Sequence, residues 1–200
     1  MIKSIFVFLI LFIAGGIHVQ NSALDQLRDK LEAGEVLHGE MVHVFEDQYT
    51  GNVEEHTGRI WIGKDRYKID VGTQQVLVID DISRVYNEAE NRLIISSYEP
   101  EEDDFAPSRL LNLSDEIFTI DERRENSKII ISLVTEDPFE ELREVKIELG
   151  DNLIPESIQA TDQTGNSYST TFREASFDRP EEDVFTLEYP EDAEIVDMRE

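Results

Sequence analysis

From residue 40 onward, apolar residues recur at about every second position, in short runs separated by Gly, Asn, Asp and Pro. That period puts successive side chains on opposite faces of an extended chain, so it predicts half-buried β-strands. The runs cover residues 41–45, 59–62, 66–71, 76–79, 92–97, 117–120, 128–134, 143–149, 153–160, 167–177 and 184–187, which makes roughly eleven strands. Gly51-Asn52, Gly63-Lys64 and residues 87–91 sit between runs as turns, and the strands therefore form an antiparallel meander.

Two other stretches have a helical period. Ser22-Ala23-Leu24-Asp25 reads as an N-cap with an acidic residue three positions on, and Leu24, Leu27 and Leu31 follow at helical spacing. Arg28, Asp29, Lys30 and Glu32 lie opposite this narrow stripe, and Gly34 is the expected stop. After a charged break at 99–104, residues 107–113 can make a short helical turn carrying Leu110, Leu111 and Leu113.

The first segment is read as an address. Lys3, the unbroken apolar run from Ile5 to Ala14, and Ala14-Gly15-Gly16 predict a secretory signal peptide over residues 1–20, cleaved between 16 and 23. The run is shorter than the ~20 residues a bilayer-spanning helix needs. Residues 21–200 are then one domain, exported from the cytoplasm.

An antiparallel sheet this large must curl or close to protect its edges and inner face. About eight strands can fill a barrel with their own side chains, whereas a wider curved sheet leaves a concavity that needs a lid, a ligand or both. The expected fold is mainly β with capping helices: an incomplete antiparallel β-barrel with the leading helix as lid over an apolar cavity.

Composition narrows the function. Against 18 Lys+Arg stand 45 Asp+Glu, a net charge of −27 and a pI near 4.3, which argues against nucleic acid and anionic lipid surfaces. With no cysteine there is no disulfide, thiolate zinc site, iron–sulfur cluster or cysteine nucleophile. His38 and His43 face opposite sides of a regular strand, and no third ligand completes a metal site. Gly-x-Ser-x-Gly and phosphate-cradling Gly-rich loops are missing, while acid pairs such as Asp80 with Asp81 are expected by chance among so many. The acidic runs 99–104, 181–183 and 188–194 read first as solvated faces, with calcium or a cationic partner as alternatives; the Asp-x-Asp-x-Asp spacing of a calcium loop is missing. Nothing requires a cofactor, and no motif supports an enzyme.

The order of features resembles the outer-membrane lipoprotein carrier family, LolA, over nearly the whole mature chain. The leading helix, Val36-Leu37-His38-Gly39-Glu40 and Gly58-Arg59-Ile60-Trp61-Ile62 match its first third. Arg66-Tyr67-Lys68-Ile69-Asp70, Val76-Leu77-Val78-Ile79-Asp80-Asp81 and Val85-Tyr86-Asn87 are similar to its aromatic-rich strand, its Val-x-Asp-Gly turn and its hairpin. Asp162-Gln163-Thr164-Gly165-Asn166-Ser167-Tyr168, Phe185-Thr186-Leu187, Pro190 and Ile195-Val196-Asp197 resemble its closing signature.

The resemblance implies a monomeric periplasmic carrier without covalent chemistry. Such a carrier takes lipoproteins from an inner-membrane ABC transporter, shields their acyl chains, and delivers them to an outer-membrane acceptor. It assigns Leu24, Leu27 and Leu31, with Leu110 and Leu111, to the lid, and Met41, Tyr67, Ile69, Val71 and Leu77 to the lipid cavity. Ordinary core packing is the alternative for each of these residues. Two departures stand out. The family's Arg-Pro after the second strand, whose arginine bonds the lid, is replaced by Gly63-Lys64-Asp65, making Lys64 the candidate lid contact. Asp80-Asp81 replaces the Val-x-Asp-Gly turn. The competing functions are an acyl-chain or lipoprotein sensor of the same fold, and an extracellular hydrolase using carboxylates or His38.

Overall fold

The computed structural model describes residues 22–99, 117–179 and 182–199. The signal segment and the turn carrying Leu110 and Leu111 lie outside the described residues.

Helix α1 (Ala23–Glu32) begins where its cap chemistry says it should, with Ser22 Oγ accepting from the Asp25 amide at 3.0 Å. It ends in a Schellman motif: the Glu35 amide donates to the Lys30 carbonyl, the Gly34 amide donates to the Leu31 carbonyl, and Gly34 sits at φ +82°.

Every predicted run except 184–187 becomes a strand. Chain order gives β1 (Val36–Glu46), β2 (Val53–Ile62), β3 (Arg66–Val71), β4 (Gln74–Ile79), β5 (Ile82–Asn87) and β6 (Arg92–Ser97). There follow β7 (Thr119–Glu125), β8 (Lys128–Val134), β9 (Leu142–Gly150), β10 (Pro155–Asp162), β11 (Ser167–Asp178) and β12 (Glu194–Asp197). Residues 182–185 wind into a 3-10 turn, because Phe185 drops into a buried cluster with Val36 and Leu77 and Arg66 stacks on its ring at 4.1 Å.

Two strands were not among the predicted runs. β5 follows β4 through Asp80 and Asp81, at φ +53° and +56°, a two-residue turn with both central residues left-handed. Such turns match the twist of a hairpin, and Asp tolerates the region better than most non-glycine residues. The Asp pair that raised a catalytic possibility is thus a hairpin turn. β12 runs parallel to β6, closing the chain onto a sheet edge.

The twelve strands of the described residues form one open sheet in the order β12-β6-β5-β4-β3-β2-β1-β11-β10-β9-β8-β7. Two antiparallel meanders, β1–β6 and β7–β11, are joined along β1 and β11. Opposite Gly39 the register slips on β11, where Glu174 has φ +49°. The extra residue changes which parity faces inward, so Phe177 and Ala175 share the core side with Phe172 and Tyr168. Gly39 is required there, since a Cβ would come within 2.9 Å of the Ala175 Cα and the Arg173 carbonyl.

The curl of the sheet follows from two contacts of α1. The Ala23 amide donates to Glu122 Oε2 on β7 at 2.6 Å, and Glu32 Oε2 meets Lys64 Nζ, after β2, at 2.8 Å. Six strand steps separate β2 from β7, about 29 Å on a flat sheet. A helix of 10 residues spans about 15 Å. The sheet therefore bends around α1, and its concave side holds the core.

Candidate functional site

The inner face has a covered part and an open part. Leu24, Leu27 and Leu31 face the sheet and are at most 5% exposed. They pack into one cluster with Leu37, Met41, Ile62, Ile131 and Ile147. The space left beneath the helix, between Leu27, Leu31, Leu37, Ile62, Ile147 and Phe177, is about 20 Å³, room for about one water. With α1 down, the interior there is filled by the chain's own side chains.

Polar contacts hold the helix at its ends. Glu122 supplies a carboxylate at the N-terminus, where the helix dipole favours negative charge. At the other end Lys64 pairs with Glu32, and this bond holds the Lys64 ammonium above its ordinary pKa. Lys30 pairs with Glu35 at 3.1 Å and lies 5.0 Å from the centre of the Phe177 ring. A cleft of about 250 Å³ opens beside this end, between Leu31, Val36 and Ile79 and the charged Glu35, Lys64, Asp65, Arg66 and Asp80.

Beyond the helix, β1–β4 carry an apolar hollow of about 200 Å³. Met41, Ile69, Val71 and Val76 line it, joined by His43, His56 and Gln74. Register explains the space. Met41 pairs with Gly58, and Gly58 pairs with Val71, so the row across β1, β2 and β3 lacks its middle side chain. A Cβ at Gly58 would overlap the Asp70 carbonyl oxygen, so the close approach of β2 and β3 requires glycine there.

His43 and His56 are direct partners across β1 and β2, and His43 Nδ1 lies 3.0 Å from Thr170 Oγ1. Burial, and after it the neighbouring His56, push His43 down to about 4, so it is neutral at physiological pH.

Of the residues assigned to the cavity, Met41, Ile69 and Val71 line the hollow, and Tyr67 lies in the core beside it, edge-on to Tyr98 at 6.0 Å. Leu77 requires a correction. It pairs with Lys68, while Val76 pairs with Ile69 and Val78 with Tyr67. Strict alternation therefore puts Leu77 on the outer face, buried with Val36 and Phe185 near Trp61. Val76, one residue earlier, takes the inner position.

Sequence reasoning missed Val76, Gly58, the pairing of His43 with His56, and Glu122 at the helix start. Gly58 stood just before the predicted run 59–62 and lies inside the longer β2, where a glycine signals close backbone approach. Glu122 carried none, because only the curl of the sheet brings β7 to the helix.

On the outer face, Ser176, His38 and Asp178 cluster, but the geometry is not that of a nucleophile triad. Ser176 Oγ at 3.0 Å and Asp178 Oδ2 at 2.7 Å meet the same His38 nitrogen, Nε2, and Ser176 also donates to Asp178. A base must contact the serine through one ring nitrogen and its orienting carboxylate through the other.

No model of a known protein family and no curated protein matches the sequence. The fold recurs in an uncharacterized conserved protein from Thermus thermophilus, at a TM-score of 0.56 and 13% identity, covering 88% of this chain and 99% of that one. At that identity the likeness is one of fold. A putative outer membrane lipoprotein-sorting protein domain from Vibrio parahaemolyticus aligns at a TM-score of 0.43 and 13% identity, covering 81% and 94% of the two chains. A LolA superfamily protein from Nitrosomonas europaea aligns at 0.43 and 6%, covering 84% and 99%.

Proposed function

We propose that this protein is a periplasmic carrier that shields the acyl chains of lipoproteins, taking them from an inner-membrane release transporter and passing them to an outer-membrane acceptor. The observation that carries the reading is an apolar concave face covered by the amphipathic helix α1, whose underside is greasy and whose ends are fastened by polar contacts. The motif order of the sequence adds the family context. Among the described residues no helix is long and apolar enough to cross a membrane.

The energetics suit reversible loading. Burying the three leucines of α1 contributes about 5–9 kcal/mol at ~1.5–3 kcal/mol each. A buried CH₂ contributes ~0.8 kcal/mol, so roughly six to eleven methylenes offset the displaced helix. Longer chains gain a surplus, and the cost of lifting α1 is subtracted from it, which moves the complex away from the ~18–21 kcal/mol ceiling at which release would stall.

Protein drawn from a native periplasm and weighed intact under native conditions should carry an acylated polypeptide. Ligand-free protein that turns over a substrate would reject the carrier. Leu31→Asp is expected to weaken fatty-acid uptake more than it lowers the stability of the empty protein; unchanged uptake with much easier unfolding would remove α1 from the lid role.

A further inference from the structure

We infer that the His43–His56 pair makes retention of an apolar ligand in the β1–β4 hollow pH-dependent, so that ligand is held at neutral pH and let go on acidification. The inference rests on the acyl-binding reading and concerns the regulation of that site.

The geometry places two imidazoles directly opposite one another on the wall of the hollow. Side chains of opposite partners stand ~4.5–5.5 Å apart at their Cβ atoms, so two protons on the pair repel at short range. His43 is half-buried, while His56 is exposed and is the ring that water still reaches. Hydrocarbon laid over the hollow displaces that water. An imidazolium then loses its hydration and gains nothing from the Met41, Ile69 and Val71 walls, so each proton costs more in the loaded state than in the empty one. Linkage makes the effect reciprocal: a ligand that disfavours a proton is itself expelled by that proton.

The neighbours of the pair allow this competition. From β11, Thr170 stands opposite His43, with Tyr168 two pairs further along, opposite Phe45; from β2, Glu54 lies two residues from His56; from β3 and β4 come Ile69, Val71, Val76 and Gln74. Glu54 is the carboxylate among them, and its Oε1 accepts from Asn52 Nδ2 at 3.0 Å. Burial, and after it His56, lowers His43 to about 4, so the His43 side of the pair is the less hydrated one.

The test uses N-phenyl-1-naphthylamine, an apolar fluorophore that carries no charge in this range, titrated into the full mature chain at about pH 7.5 and about pH 5, on either side of the ordinary imidazole range. Far-UV circular dichroism is recorded at both. The expected result is a Kd about tenfold higher at the lower pH, the factor given by one unit of difference between empty and loaded protein, with the β-sheet signal unchanged. His56→Gln, at an exposed strand position, should remove most of the rise, and the His43→Gln/His56→Gln double variant should hold it below roughly twofold. Equal affinity at both pH values, a rise that survives in the double variant, or a loss of probe that tracks loss of the β signal would each overturn the inference. Failure to bind the probe at either pH would overturn the acyl-binding reading itself.

Discussion

The concave face is shut under α1 and open beyond it, although β1 and β2 contribute to both floors. About 20 Å³ remains beneath the helix, against about 200 Å³ in the hollow on β1–β4. The covered part sets Leu37, Ile62 and Ile147 against Leu27 and Leu31, large branched side chains on both sides of the contact. The open part has a glycine in the middle of its row, and none of its lining residues comes from a helix. Volume on this face is therefore governed by what covers it. An apolar cavity of about 150 Å³ already takes up a benzene-sized molecule, so on the proposed carrier reading the hollow would hold the end of a chain with α1 in place.

The most severe way to break this contrast is to put charge under the lid. Leu27 is 2% exposed, and Leu27→Asp should cost about 3–5 kcal/mol, because the carboxylate cannot stay in that apolar contact. If α1 is a separable cover, hydrogen exchange will show its amides losing protection while those of β8 and β9 keep theirs. Equal loss in all three would make α1 a permanent part of the core and end the comparison.

The open half is probed by acid. The His43 pKa lies below its ordinary value of 6.5, at about 4. The unfolded chain therefore takes up a proton near 6.5 that the folded protein refuses until about 4. The stability contributed by the neutral ring is complete above 6.5, falls as pH drops from 6.5 to about 4, and changes no further below that. The loss should be on the order of 2 kcal/mol once solvent screening is allowed for. Denaturant midpoints measured across this window should slope in the wild type and flatten in His43→Gln. Asp162 acts in a lower window. Burial alone would raise its pKa, but hydrogen bonds from Thr164 and Asn166 outweigh that and hold it below 3.8, so its contribution is lost only below 3.8. A slope confined to the lower window would mean that the hollow is wetter than its lining suggests.

Much of this was legible along the chain. Period-two runs located all but two of the strands, and the leucine stripe with its N-cap and Gly34 stop gave α1 within its observed bounds. The failures have physical causes. Residues 184–187 have strand composition, yet Phe185 gains more from burial against Val36 and Leu77 than from pairing. β5 was hidden because no glycine marks the Asp80-Asp81 turn that starts it. Leu77 was misplaced because Val76, Leu77 and Val78 form a continuous apolar run, so hydrophobicity alone does not say which face each takes; only the register with β3 decides. Contacts set by curvature, such as Glu122 with the Ala23 amide, join elements too far apart in sequence for any local pattern to announce.

The mildest test acts on the fastening of the covered half. Lys64 and Glu32 are both more than half exposed, so their pair at 2.8 Å is screened by water and salt. Lys64→Ala should leave the global unfolding midpoint unchanged and speed amide exchange in α1 by roughly two- to fivefold, with raised salt acting on the wild type in the same direction. Lys64→Arg offers a planar fork that can meet the carboxylate through two parallel bonds and should slow that exchange. Identical exchange in all three proteins would mean that the leucines alone hold the helix down, and that the rim of the closed half contributes nothing to when it opens.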